Sequence, residues 1–338
     1  MAVVTIKDIA KTCGVSFSTV SKALKGSSEI SAETIKYVSE TAKKMGYYPN
    51  SAARTLRTNR SYDIGVIFED ATGSGLQHQY FAKIFDAINV VANAHGYDIT
   101  FLNHEAERDY LSQARYRGCD GIAIASSDFS RSDILALVKS EVPTCTLDFV
   151  YDKNHSAVIS DNTAGMKALM EYIISMGHKK IAFVHGEMSE VTKFRLEAFK
   201  KIAQEHNLCI PPGYLITAKY HSTETSEAAT WDLLALDDCP TCIVYPDDFA
   251  CMGGVRILTE NGLQIGKDIS IAGYDGTMLA SLISPQLTTY EQDAKEIGTQ
   301  MAKMLINQIE NPKTFIPSIL TVKGTLLKGN SIVCLNSQ

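Results

Sequence analysis

The chain has 338 residues, 45% of them hydrophobic and 21% charged, proportions that point to a globular protein of two or three domains. No apolar run reaches ~18 residues, which excludes a membrane-spanning helix, and MAVVTIKDIAKTCG lacks the basic start and unbroken apolar core of a secretory signal, so a cytoplasmic location is expected. The net charge is −6, yet residues 1–60 hold ten Lys/Arg against four acids; a basic head on an acidic body suggests a polyanion-binding module joined to something else.

Three short helices are punctuated in the head. Thr5 and Asp8 form a capping box, Ile6, Ile9, Ala10 and Cys13 make an apolar face, and Gly14 ends the helix. Ser16 caps a second helix with Val20, Ala23 and Leu24 inward and Gly26 at its end. Ser31 caps a third, carrying Ile35, Val38, Ala42 and Met45. Only Gly14 and Val15 lie between the first helix and the second cap, a spacing that forces a helix-turn-helix bend. In that geometry the second helix enters the major groove by its N-terminal end. Its outward residues are Phe17, Ser18, Ser21, Lys22 and Lys25. Lys22 can donate to guanine, and Phe17 can touch a thymine methyl. The hydroxyls of Ser16, Thr19 and Ser21 suit phosphates.

Residues 50–61, NSAARTLRTNRS, carry three arginines, no acid and one large apolar residue, Leu56. Ala52, Ala53 and Leu56 recur at helical spacing behind possible caps at Asn50 and Ser51, but a helix this short is marginal alone.

From residue 62 onward, short apolar runs alternate with amphipathic stretches. IGVIF, DITFL, GIAIA, TCTLDF, IAFVH, YLITA, CIVY and ISIAG read as strands. Helical patterns cover 81–95, 162–176, 191–206 and 249–261. The rhythm predicts parallel sheets covered by helices, and there are too many units for one sheet, so two doubly wound lobes are expected. In such sheets ligands sit beyond the carboxyl ends of the strands. The polar residues there are Glu69, Asp70, Asp148, Tyr220, His221, Asp247, Asp248 and Asp275, with Arg195 on a following helix. Carboxylates and a guanidinium fork converging on a cleft suit a hydroxyl-rich ligand, and Phe81 or Tyr220 could pack on a sugar ring. Asp248 and Asp161, each just before a helical pattern, read equally well as helix caps.

The eight cysteines read as reduced thiols; Cys239 and Cys242 form one CxxC without the second ligand pair that a zinc site needs. No GxSxG, HExxH or P-loop signature is present, so neither catalysis, a metal nor a cofactor is expected. His178, in the turn MGHKK, reads as a carbonyl-capping histidine.

The whole N-terminal segment, TIKDIAKTCGVSFSTVSKALKG onward, resembles the LacI/GalR family of bacterial transcription regulators. The likeness continues through SDNTAGMKALMEYIISMGHKKIAFVHG, PDDFACMGGVRILTENGLQIGKDISIAGYDG and PQLTTYEQD, over nearly the full chain. It implies an all-α helix-turn-helix head at 1–48, a hinge at 49–61 and an α/β body at 62–338 resembling periplasmic sugar-binding proteins. Crossovers are implied near Ser160–Asp161, Thr289–Tyr290 and Val322. One lobe would thus take about 62–160 and 290–321, the other about 161–289 and 322–338. The resemblance adds Thr5, Asn50, Ala53, Arg54, Leu56 and Arg57 to the DNA-contacting set, with Leu56 as a minor-groove wedge. It matches Arg195 in FRLEAF, Asp247 in PDDFA and Asp275 in GYDG to effector-contacting positions, and Asp148, Tyr220 and His221 less closely. It implies a homodimer that binds a pseudo-palindromic operator, represses carbohydrate-utilisation genes and answers to a sugar effector. Body contacts would use 80–95, 249–261 and Met278–Ser284; the short tail after residue 327 lacks a leucine heptad for tetramers. Activator or co-repressor logic, and a sugar-binding protein without DNA function, remain alternatives. The chain departs from the family at Lys22, where many members have arginine, in a longer loop at 70–81, and at Gly276, where a second acid is common.

Overall fold

The computed structural model describes residues 4–24, 26–47, 55, 60–70, 72–104 and 108–335. Its contacts fall into two compact units, Met1–Ser61 and Tyr62–Gln338.

In the first unit, α1 (Ile6–Cys13), α2 (Phe17–Ala23) and α3 (Ala32–Lys44) enclose a small core of Ile9, Val20, Ala23, Val38 and Ala42. The caps explain the boundaries. Thr5 and Asp8 close a capping box at α1, and Gly14 ends it with φ 67°. Ser16 accepts the Thr19 N–H at 3.0 Å, and Ser31 accepts that of Thr34 at 3.3 Å. The second helix stops at Ala23, short of the expected Gly26; that glycine forms the turn beyond it, with φ 67° and its N–H on the Ala23 carbonyl.

The second unit contains twelve named strands among the described residues: β1 (Asp63–Phe68), β2 (Asp98–Leu102), β3 (Gly121–Ser126), β4 (Thr144–Leu147), β5 (Ser156–Ser160), β6 (Ile181–His185), β7 (Leu215–Thr217), β8 (Cys242–Val244), β9 (Ser270–Asp275), β10 (Thr288–Glu291), β11 (Ile319–Val322) and β12 (Thr325–Leu327). They form two six-stranded sheets, ordered β11-β5-β4-β3-β1-β2 and β12-β10-β9-β8-β6-β7. All described pairs are parallel except β10 with β12. The helices are α4 (Gln79–Ala94), α5 (Tyr110–Arg117), α6 (Ser132–Val138), α7 (Asn162–Ser175), α8 (Glu190–Glu205), α9 (Thr223–Leu234), α10 (Asp248–Glu260), α11 (Met278–Leu282) and α12 (Ala294–Glu310).

Each sheet is apolar on both faces, which is why its central strands read as continuous hydrophobic runs. In the first lobe, α4 and α12 cover one face and α5 and α6 the other. In the second, α7 and α8 lie opposite α9, α10 and α11. The apolar residues of α12 recur at helical spacing, Ile297, Met301, Leu305 and Ile309, and all are buried. Gly298 brings it against α4: a Cβ there would lie 2.3 Å from the Ile84 carbonyl oxygen.

The chain passes between lobes three times. β10 pairs wholly within the second sheet, so the return follows Glu291, slightly beyond the expected Thr289–Tyr290. β11 lies in the first sheet and β12 in the second, so the last passage falls between Val322 and Thr325. Each sheet has a reversal of strand order, at β1/β3 and at β6/β8, and such switch points open a crevice at the carboxyl ends.

Candidate functional site

In the head, the α2 N-terminus presents Phe17, 54% exposed, and exposed Ser18, while Ser21 and Lys22 are half-buried. The Ser16 and Thr19 hydroxyls bond one another at 2.8 Å and so serve the cap first. Thr5 spends its hydroxyl on Asp8 at 2.7 Å. Lys22 is ion-paired with Glu29, whose carboxyl is held below its usual value by the lysine's hydrogen bond and charge. Lys25, Asn50, Ala53, Arg54, Leu56 and Arg57 lie outside the described residues.

In the body, the carboxyl ends of the two sheets line one cavity of ≈ 880 Å³. It brings together six of the expected ligand residues: Phe81, Asp148, Arg195, Tyr220, Asp247 and Asp275. Arg195, on α8, is only 4% exposed. Its Nε donates to Asn162 Oδ1 at 2.7 Å, its Nη1 to the Pro246 carbonyl at 3.0 Å, and its guanidinium lies 3.6 Å above the Tyr274 ring centroid. A buried cation so braced keeps a fixed fork. Burial opposes its charge, but Tyr220, Tyr274, Asp275 and Asp148 hold its pKa above the usual value.

Asp148 and Asp275 occupy positive-φ backbone, 52° and 97°, uncommon for residues other than glycine and of the kind that clusters at ligand sites. Burial raises Asp148 to about 6, although the Ser160 N–H bonds it at 2.7 Å. Asp275 accepts from Gln292 Nε2 at 2.6 Å. Gly276 follows at φ 63°, and a Cβ there would fall 2.3 Å from that of Glu291, which explains the absence of a second acid.

Asp247 lines the cavity and also takes the cap role that the sequence offered to Asp248. Asp247 is the cap of α10, accepting Ala250 N–H at 2.7 Å, and also takes the His221 N–H at 2.7 Å; burial beside Asp275 pushes its carboxyl up. Asp248 is fully buried inside the lobe, bonded to Thr277 N–H at 2.6 Å and Thr289 Oγ1 at 2.6 Å. Asp161 does cap its helix, at 2.9 Å from Ala164 N–H.

His221 is the correction. It is absent from the cavity lining; its ring is stacked between His78, at 4.2 Å, and Phe249, at 4.0 Å, and only its backbone N–H reaches the site, through Asp247. Burial, and next the His78 charge, lower it to about 4. A strand-end position could not reveal that its ring turns away.

Several residues of the site were not singled out from sequence. Gln292 and Asn162 orient Asp275 and Arg195. Across the first sheet's switch point, Glu69 accepts from Arg131 Nη1 at 2.5 Å, Tyr110 at 2.9 Å and Ser127. Burial pushes its carboxyl up, but these hydrogen bonds hold it below the usual value. Asp70 folds the loop after β1 by accepting from Thr72, Ser74 and Gly75, which sets it at about 2 despite burial. Asn162 and Gln292 stand beside residues already picked out, while Glu69 and Asp70 are among the strand-end residues read from sequence; only long-range pairing reveals what Asn162, Gln292 and Glu69 hold. His178 joins Thr241, Ser270 and the Val333 carbonyl, a structural hub.

A helix-turn-helix unit joined to a two-lobed body with a ligand-sized cleft defines a class of DNA-binding proteins that carry a small-molecule module. Residues 5–50 match the model described as bacterial regulatory proteins, lacI family, and residues 170–332 match a periplasmic binding protein-like domain. The chain belongs to the lacI family: it is a DNA-binding transcriptional repressor with an effector-binding body, and not an enzyme. It is 30% identical to the HTH-type transcriptional repressor PurR of Pasteurella multocida (strain Pm70), over 97% of this chain and 98% of that one. It is 29% identical to the probable HTH-type transcriptional repressor ExuR of Bacillus subtilis (strain 168), over 94% and 95%. Among solved structures it resembles the lac repressor dimer bound to operator and the anti-inducer ONPF, with TM-score 0.84, 25% identity and coverage of 98% and 100%. It also resembles a LacI family regulator from Enterococcus faecium with bound ribose, with TM-score 0.71, 28% identity and coverage of 81% and 99%. No helix among the described residues is long and apolar enough to cross a membrane.

Proposed function

We propose that this chain represses transcription as a homodimer on a pseudo-palindromic operator in the cytoplasm, and that a sugar bound in the cleft controls its grip on DNA. The observation that carries the ligand reading is the braced Arg195 fork facing the same cavity as Asp148 and Asp275. Carboxylates accept from vicinal hydroxyls while a guanidinium donates to them, a combination that polyols complement. The ribose-bound relative favours the same class.

In the head, Phe17, Ser18, Ser21, Lys22 and Lys25 read the major groove; Thr5, Ser16 and Thr19 hold its phosphate register. Lys22 must exchange Glu29 for DNA to do so. In the hinge, Ala53 and Leu56 face the base steps of the minor groove, with Leu56 as the wedge, while Arg54 and Arg57 meet phosphates or groove walls and Asn50 contacts DNA at the start of the segment. The ligand acts by binding the two lobe arrangements with different affinities, which couples it to DNA by ~1–3 kcal/mol. Exposed Phe249, Met278 and Leu282 support a dimer contact through α10 and α11.

Selection from a random duplex pool at about 150 mM salt tests the DNA reading; no sequence preference there would sink specific repression. A thermal-shift screen of sugars and nucleosides tests the ligand. A saturating sugar at 100-fold its Kd stabilises by about 2.7 kcal/mol, and a shift that survives both Arg195→Ala and Asp275→Ala would move the site elsewhere.

A further inference from the structure

The cavity has two polar centres. The inner one joins Asp148, Arg195, Asp275 and Gln292. The outer one lies past β1 and β3, where Glu69, Ser127 and Arg131 are bonded together. Beside it Phe129 and Phe149 also line the cavity, their rings parallel and 4.3 Å apart.

Their separation follows from strand order. Asp148 follows β4 and Glu69 follows β1, with β3 between them. Two strand spacings make roughly 10 Å, the length of two linked pyranose rings and more than one needs. The volume of ≈ 880 Å³ agrees, lying near the top of the roughly 300–1,000 Å³ range of ligand pockets.

Charge narrows the class. The described lining carries eight acidic side chains against two arginines. Arg131 is already bonded to Glu69 and Asp133, and Arg195 has its Nε and Nη1 committed. An incoming carboxylate or phosphate would meet a surplus of like charge in a partly desolvated cleft. Unmet hydrogen-bonding groups point the same way. His78, Tyr80 and Gln292 line the cavity, and their Nδ1, OH and Oε1 are buried without a hydrogen-bond partner, so a small side-chain turn would offer donors and acceptors that a neutral ligand rich in hydroxyls can meet.

Resting on the carbohydrate reading above, we infer that the ligand is a neutral disaccharide, with one ring on the inner centre and the second between Glu69 and the Phe129–Phe149 pair. The aromatic pair supplies an apolar face for the second ring, and the Glu69–Ser127–Arg131 cluster forms the polar wall beside it.

Calorimetry on the full chain decides this. The probes are cellobiose, maltose, trehalose, lactose, melibiose and sucrose, their component hexoses, glucuronate, galacturonate, adenine and guanosine. One neutral disaccharide is expected to bind at least about 30-fold tighter than either component hexose, with both uronates weaker still. Phe149→Ala should cost that disaccharide about tenfold and leave the hexose within about twofold, whereas Asp275→Ala should weaken both. A hexose or uronate that binds as well as every disaccharide overturns the two-ring inference and leaves a sugar site standing. Binding of adenine or guanosine with none by any sugar overturns the carbohydrate reading as well. The wild-type comparison needs no variant, so poor folding of Phe149→Ala does not protect the proposal.

Discussion

Arg195 shows how one side chain is made into a recognition element. Two of its nitrogens are fixed by Asn162 and a backbone carbonyl, and Tyr274 supports its face, so the remaining edge is set before any ligand arrives. Lysine in its place keeps the charge and loses the fork. Arg195→Lys should weaken ligand binding by about 1.5–3 kcal/mol in calorimetry while leaving operator affinity without ligand near wild type. Asp248 makes a different prediction. Burial, then repulsion from Asp275, raises its carboxyl to about 8, so the folded state holds a proton that the unfolded chain releases near 4. Stability from this group is therefore full below about 4 and declines as pH rises towards 8. Asp248→Asn should flatten the fall in urea midpoint between pH 5 and 8; an unchanged slope would assign that fall to other groups.

At the scale of elements, α4 and α12 touch through a glycine. Because the Ile84 carbonyl leaves no room for a Cβ at 298, Gly298→Val should cost about 1–3 kcal/mol in urea denaturation, more than the same change at an open turn. The same packing explains what could be read beforehand. The eight strands with runs such as IGVIF or GIAIA announce themselves because both faces of each sheet are apolar. SAVIS, TTYE, ILTV and TLL do not, being short or rich in hydroxyls whose partners lie far along the chain. Thr289, for instance, is buried with its hydroxyl donated to Asp248, 41 residues away. These are also the strands beside the crossovers, so the residues alone yielded two lobes while the resemblance was needed to connect them. The site follows the same division. Arg195, Asp148 and Asp275 were legible as polar residues at strand ends or on the following helix, but the Glu69–Arg131 pair joins residues 62 positions apart, and His221 faces away through a ring stack no spacing encodes.

For the whole molecule, the relevant state is the proposed pair of chains. Leu282 and Met278 are 69% and 58% exposed, one turn apart on α11. Leu282→Glu should shift sedimentation from dimer towards monomer and lower operator affinity by at least about tenfold, with the sugar-induced thermal shift retained. A stable dimer in that variant would move the contact off α11.

The triple passage between lobes also sets the order in which the protein can be made. The first sheet waits for β11 and its covering helix α12, which follow every strand of the second sheet except β12. The second lobe in turn waits for the final segment: Ser331 serves Thr288 and Ile271, and the Val333 N–H and carbonyl serve Ser270 and His178. Neither lobe is finished until residues 319–333 have been made. A prematurely terminated product would hold two sheets with open apolar faces instead of one sound domain, the kind of species that aggregates.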